Sequence, residues 1–246
     1  MNSEQTAIRV IHAERDFLVL DKPAGISVHG GPGVRGKTVA DWIAERYPET
    51  KRVGDEPTLR PGIVHRLDRN TSGVMIVARN QETFEKLKQL FKDRRVEKTY
   101  LALVVGTPKR KAGSIDAPIG RMVSNPTKRG VLRRAQDKSA LRGSRNALTA
   151  YRTLERLGNY TLLEVKPKTG RMHQIRVHLA SIGVPVAGDT SYGSIRTRVE
   201  NLDRQFLHAW RISFSYPVGR RWQFDSPLPK DLQQILIHLR RLREQK

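Results

Sequence analysis

Pro61-Gly62-Ile63-Val64-His65-Arg66-Leu67-Asp68-Arg69-Asn70-Thr71-Ser72-Gly73, followed by Val74 to Ala78, is the stretch on which the reading of this chain turns. Val74 to Ala78 is an unbroken apolar run and reads as a buried strand. Ahead of it, His65 to Gly73 packs two cations and one acid between a Pro-Gly break and that strand. The sheet would therefore brace a loop carrying Asp68, a common placement for a catalytic group. Spacing alone leaves a second reading equally open, in which Asp68 caps a turn or pairs with Arg66 or Arg69. Thr71 and Ser72 read as structural, because their hydroxyls can accept backbone N–H groups in the loop. Gly73 permits a backbone angle that other residues disfavour.

Working outward, Ile8 to Ile11 and Phe17 to Leu20 read as an opening hairpin, and Asp21-Lys22-Pro23-Ala24-Gly25 breaks the pattern. Thr38 with Asp41 three residues on marks a helix start, and Asn80 caps a second helix with Phe84, Leu87, Leu90 and Phe91 at helical spacing. Lys98 to Val105 is a strand. Thr149 to Leu157 and Tyr160 to Val165 form a hairpin across Gly158-Asn159. Ile175, Leu179 and Ile182 mark one helix face, Phe206 to Tyr216 and Arg221 to Phe224 a late hairpin, and Leu232, Ile235, Leu236, Leu239 and Leu242 a terminal helix. From Arg121 to Arg145 there are eight Lys or Arg and one acid without sustained periodicity, which reads as a mobile basic loop. Hairpins and isolated helices outnumber strand-helix-strand units. The expected class is α+β, around a mixed, largely antiparallel sheet with flanking helices.

The 246 residues suit one large domain or two small ones, and a single domain over 1–246 is expected. Lys and Arg number 46 against 24 Asp and Glu, a net charge of +22 spread from Arg9 to Lys246. Such a field favours a polyanion, and nucleic acid ahead of a membrane. No stretch approaches the roughly 20 apolar residues that span a bilayer, so a cytoplasmic protein is expected. The chain has no Cys, which removes disulfides and thiolate chemistry and leaves His and carboxylates as ligands for a catalytic metal. His173 and His178 are five positions apart and point away from each other on a helix or a strand, so a shared metal is not expected. His65 beside Asp68 reads as structural or RNA-contacting.

His65-Arg66-Leu67-Asp68 with Thr71-Ser72-Gly73 closely resembles the signature of the RluA-type pseudouridine synthases. Four further ordered segments carry the resemblance: Leu20 to Gly25, Lys98-Thr99-Tyr100, Gly170 to His178 and Gly188 to Gly193. The resemblance implies a cofactor-independent isomerase that converts uridine in structured ribosomal or transfer RNA to pseudouridine; a monomer is expected. It further implies Asp68 as the catalytic carboxylate, Tyr100 against the target uracil, and Arg176 paired with Asp68. By residue pattern alone, Tyr100 alternates with Leu101 and Leu103 as an ordinary sheet residue would. Arg176 near a helix start reads as a solvated cation.

The expected RNA-contacting set is His65, Arg66, Arg69, Lys98, Lys128, Arg129, Arg133, Arg134, Arg171 and His173. The first hairpin begins within ten residues of Met1, so a separate N-terminal RNA-binding module is not expected and targeting would fall to the catalytic domain. Two other classes stand beside this reading. A non-catalytic RNA-binding or ribosome-assembly protein on the same fold would tolerate loss of Asp68. A hydrolytic enzyme would need a metal cluster or a His-centred acid and base set, and the sequence presents neither.

Overall fold

A computed structural model of the chain describes residues 7–132, 139–193, 197 and 199–245. They form two compact units, one running through Lys98 and rejoined by Ala209–Pro229, the other comprising Thr99–His208 and the segment from Lys230 onward.

In the first unit, β1 (Arg9–Ala13), β2 (Phe17–Lys22), β3 (Ser72–Ala78) and the part of β11 (Leu207–Ser215) from Ala209 onward lie side by side in that order. Strand β12 (Arg221–Asp225) pairs with β11. β1 on β2, β2 on β3 and β11 on β12 all run antiparallel. Every residue of β3 is buried, as its apolar run requires of a strand covered on both faces. Gly73 makes the β3–β11 approach possible. Its φ is +122°, and a Cβ there would lie 2.2 Å from the Ala209 carbonyl oxygen.

The helices of this unit begin where local capping chemistry dictates. Thr38 and Asp41 form the reciprocal capping box of α1 (Val39–Arg46). The Asn80 side chain accepts the Thr83 N–H at the start of α2 (Gln81–Lys92), which buries Phe84 and Leu87.

In the second unit, β4 (Glu97–Val105), β10 (Tyr160–Pro167), β9 (Leu148–Leu157) and β5 (Ala112–Asp116) are neighbours in that order, with antiparallel pairing. Ala102, Val104, Leu163 and Val165 from β4 and β10 pack with Ile175 and Leu179 of α3 (Gln174–Ser181). The terminal helix α4 (Lys230–Glu244) buries Leu232, Ile235, Leu236 and Leu239, whereas Leu242 at its end is exposed.

The basic stretch corrects the expectation of a loop. β6 (Ile119–Met122) pairs antiparallel with β7 (Arg129–Val131) on one side and β8 (Leu141–Arg145) on the other, forming a separate three-stranded sheet. Its strands lack alternation because glycine occupies packing positions. A Cβ on Gly130 would meet the Leu141 side chain at 2.6 Å. Among the described residues no helix is long and apolar enough to cross a membrane.

Candidate active site

Asp68 belongs to the first unit, while Tyr100 and Arg176 belong to the second.

Asp68 is half-buried on the loop that enters β3, and its carbonyl accepts the Thr71 N–H at 3.0 Å. The loop is held from below by Lys22, whose side chain ends β2 at 0% exposure. Its Nζ donates to the carbonyls of Pro23 (2.8 Å), Ile26 (2.9 Å) and Arg69 (3.0 Å). The Arg69 carbonyl also takes the Gly25 N–H, and Arg69 Nε returns a bond to the Gly25 carbonyl. A buried ammonium requires such partners to offset its lost hydration. These partners are main-chain oxygens on both sides of the break, so the charge fixes the backbone on which Asp68 rides.

His65 hangs beneath the same loop. Its Nε2 accepts the Ile76 N–H of β3 at 2.9 Å, and its ring stacks on Phe91 with centroids 4.7 Å apart. Burial, and then the charge of Lys98, push its pKa down to about 3, so the imidazole stays neutral near pH 7 and cannot act as a base there. Lys98 Nζ lies 5.9 Å from the Phe91 ring centre, and burial pushes its pKa down to about 8. Arg66 is exposed and donates from Nη1 to His29 Nε2.

In the second unit the segments Gly170–His178 and Gly188–Gly193 meet. Buried Gln174 locks the turn into α3: its Oε1 accepts the Thr169 hydroxyl and the Arg171 N–H, and its Nε2 donates to Leu148 O and Thr149 Oγ1. Arg176, two residues further on, makes a two-pronged pair with Asp189, Nε to Oδ2 at 2.7 Å and Nη2 to Oδ1 at 2.8 Å. The two residues are 6% and 1% exposed. Oδ1 of Asp189 also accepts the N–H groups of Ser191 and Tyr192. Burial alone would raise the Asp189 pKa. The Arg176 hydrogen bonds and charge, with the two N–H groups, outweigh it and hold the carboxyl below its ordinary 3.8.

Tyr192 joins this pair to its surroundings. The Arg176 guanidinium lies 5.1 Å from its ring centre, and its hydroxyl accepts the Arg129 main-chain N–H and meets His173 Nδ1, each at 2.8 Å. His173 itself sits at the α3 N-cap with φ +56°. Arg171 Nε donates to Asn146 O. Tyr100 on β4 lies opposite Val165 and packs, partly buried, against the core of its unit.

The expected residues are thus gathered into two clusters. Asp68, His65, Arg66, Arg69 and Lys98 lie about the β3 entry, and Arg129, His173 and Arg176 contact Tyr192, with Arg171 at the turn into α3. Lys128 lies in the turn preceding β7, while Arg133 and Arg134 lie outside the described residues. His178, buried on α3, is committed to Thr149 Oγ1 and Ala117 O. Sequence reasoning assigned no role to Lys22, Asp189 or Tyr192. The signal was present, since all three lie inside segments that carry the resemblance.

Comparison with known proteins decides the family. The profile described as RNA pseudouridylate synthase matches residues 16–181, a span that contains Asp68, Tyr100 and Arg176. This chain belongs to that family. An uncharacterized RNA pseudouridine synthase of Chloroflexus aurantiacus is 46% identical over 89% of the chain, which spans 65% of that relative's length. The ribosomal large subunit pseudouridine synthase D of Nitrosomonas europaea is 37% identical over 98% of the chain and 67% of the relative. Among solved structures, human RNA pseudouridylate synthase domain containing 1 matches with a TM-score of 0.73 and 26% identity over 98% of this chain and 97% of that one. Members of the family are isomerases, and the α+β class expected from the sequence is the one they share.

Proposed function

We propose that this chain isomerises uridine to pseudouridine in structured RNA and that Asp68 is the carboxylate that begins the reaction. The observation that carries the reading is the Lys22 clamp. A fully buried ammonium is committed to holding three carbonyls around the loop that carries half-buried Asp68, inside the span the family profile matches.

Pseudouridine formation breaks the ribose bond to the uracil nitrogen, turns the base, and rejoins ribose to uracil carbon 5, which gives up its proton while the freed nitrogen takes one up. Substrate and product have the same atoms and oxidation state, so the balance needs no oxidant or reductant. An ionised Asp68 serves as nucleophile or base. Arg176 is the group that would meet the carboxylate and fix its direction. A guanidinium has five N–H donors in a fixed fork, so it can serve a second carboxylate while Asp189 holds it in place. Tyr100 offers an aromatic face to a uracil taken from its stack, a step that costs a few kcal/mol. The RNA-facing cations, Arg66 and Arg69 on one unit and Lys128, Arg129 and Arg171 on the other, neutralise flanking phosphates and position the strand.

Two relatives are named for the ribosomal large subunit, which makes its RNA the substrate to test first. Purified protein incubated with total RNA from a strain lacking it, with chelator present, is expected to produce new pseudouridine at one or a few sites. If sequencing of that RNA finds none, the reading fails.

The clamp has its own expected result. Lys22→Met keeps the stem but removes the three donors, and loss of the anchor lets the Asp68 backbone drift. A displacement of about 1 Å can cost on the order of 100-fold in rate. The single-turnover rate at saturating RNA should fall by about that much, with RNA affinity near native. A native rate would show that the clamp is irrelevant to the chemistry.

A further inference from the structure

Wherever strands outside the small sheet bring an arginine directly opposite a charged residue on a flank open to water, the chain has matched it with an acid. Arg9 faces and pairs with Asp21 across β1 and β2, Arg211 with Asp225 across β11 and β12, and Arg152 with Glu164 across β9 and β10. The small sheet does the opposite. Its middle strand puts Arg121 directly opposite Arg129 on β7 and opposite Arg142 on β8. Opposed residues leave the same face with Cβ atoms about 5 Å apart, and like charges so placed are destabilising. Two residues along β6, past an irregularity in the β8 register, Ile119 pairs with a fourth arginine, Arg145.

Within the sheet nothing offsets this. The described residues 119–132 and 139–147 contain no Asp or Glu, and no described carboxylate pairs with any of the four arginines. The Arg129 guanidinium is instead steadied by the carbonyls of Pro126 and Lys128 and by Met172 Sδ. Its main-chain N–H reaches the Tyr192 hydroxyl, which ties the row to the α3 end that carries Arg176. At about 4.8 Å between strands, the row crosses roughly 10 Å, room for more than one phosphate.

We infer that Arg129, Arg121 and Arg142 form a rung that binds the sugar-phosphate backbone of the RNA beside the target nucleotide. The inference rests on the proposed RNA substrate and names the part of the chain that grips it. The repulsion built into the rung is relieved when a polyanion lies across it. Arg121 and Arg142 contribute here although only Arg129 stood out in the sequence.

The test is a salt series of binding titrations on the full chain, with a stem-loop transcript carrying uridines in its loop. Each phosphate contact contributes about 0.7 to 0.9 to the slope of log affinity against log salt. Arg121→Gln/Arg142→Gln should therefore flatten the slope by about 1.4 to 1.8 and weaken binding at low salt on the order of tenfold. Arg121→Lys/Arg142→Lys should keep most of the slope, and Lys51→Gln/Arg52→Gln, an equal loss of charge on an exposed turn, should leave it unchanged. The Gln variant should melt no lower than the native protein at low ionic strength, since two opposed charges are gone.

An unchanged slope, or an equal change in the Lys51/Arg52 control, overturns the rung. So does a variant that loses binding to anionic lipid vesicles while holding RNA as before. Native protein from the same preparation is assayed for pseudouridine. If it converts RNA while the slope ignores the arginines, the rung falls and the enzyme reading stands. If the slope responds in a protein that makes no pseudouridine, the rung stands and the enzyme reading falls.

Discussion

Asp68→Asn should lower turnover by at least 10³-fold, about 4 kcal/mol of barrier, while RNA affinity stays within about twofold of native. The substitution keeps the size and shape of the side chain and removes its nucleophilic and basic power. Lys22 holds the main-chain carbonyls of Pro23, Ile26 and Arg69, and the Asp68 carbonyl takes the Thr71 N–H, so these bonds survive the substitution. A structural Asp that merely capped the turn would show a different pattern, with a lowered melting temperature and a modest, proportionate loss of rate. The measurement pairs pseudouridine yield with a binding titration and a thermal melt on the same variant.

Asp189→Asn carries the second large effect, on stability as well as rate. It leaves the guanidinium of Arg176 buried with half of its two-pronged partner gone, and breaking a buried pair in this way costs about 3–5 kcal/mol. For a chain of this length that is a fall in melting temperature of roughly 10 °C. The rate should fall with it, because Asp189 fixes the direction of the guanidinium proposed to meet Asp68.

Acid gives an independent check. The Asp189 carboxyl is held below its ordinary 3.8, so its contribution to stability is fully present above that value. The contribution is lost as pH falls through the lower folded value, where the folded protein must also take up the proton. The gap in stability between native protein and Asp189→Asn should therefore be flat from neutral pH down to about pH 4 and narrow below it. A gap that closed near pH 6 would point to a histidine instead.

What could be read from the sequence was what short-range chemistry decides. Thr38 with Asp41, the Asn80 cap and the Gly158-Asn159 turn each announce themselves within four residues, and the structure has them where they were expected. Asp68, Tyr100 and Arg176 stood out because the motifs around them are dense and ordered. The partner of Arg176 within its unit did not, because Asp189 lies thirteen residues away beyond the end of α3 and no periodicity connects them. Lys22 looked like the start of a loop, since nothing local distinguishes a lysine that turns inward from one that faces water.

The basic stretch misled for a physical reason. β6, β7 and β8 hold glycine at positions where alternation would show an apolar residue, and set arginine opposite arginine where sheet chemistry favours an acid. Both features resemble a loop until the strands are paired.

Whether this chain makes pseudouridine through Asp68 is decided in cells. The most direct test is to map pseudouridines in the RNA of cells lacking the chain, then in the same cells supplied with the native protein or with Asp68→Asn at equal abundance. At least one pseudouridine should disappear with the chain, return with the native protein and stay absent with Asp68→Asn. Return of the modification with Asp68→Asn at the native level would contradict it.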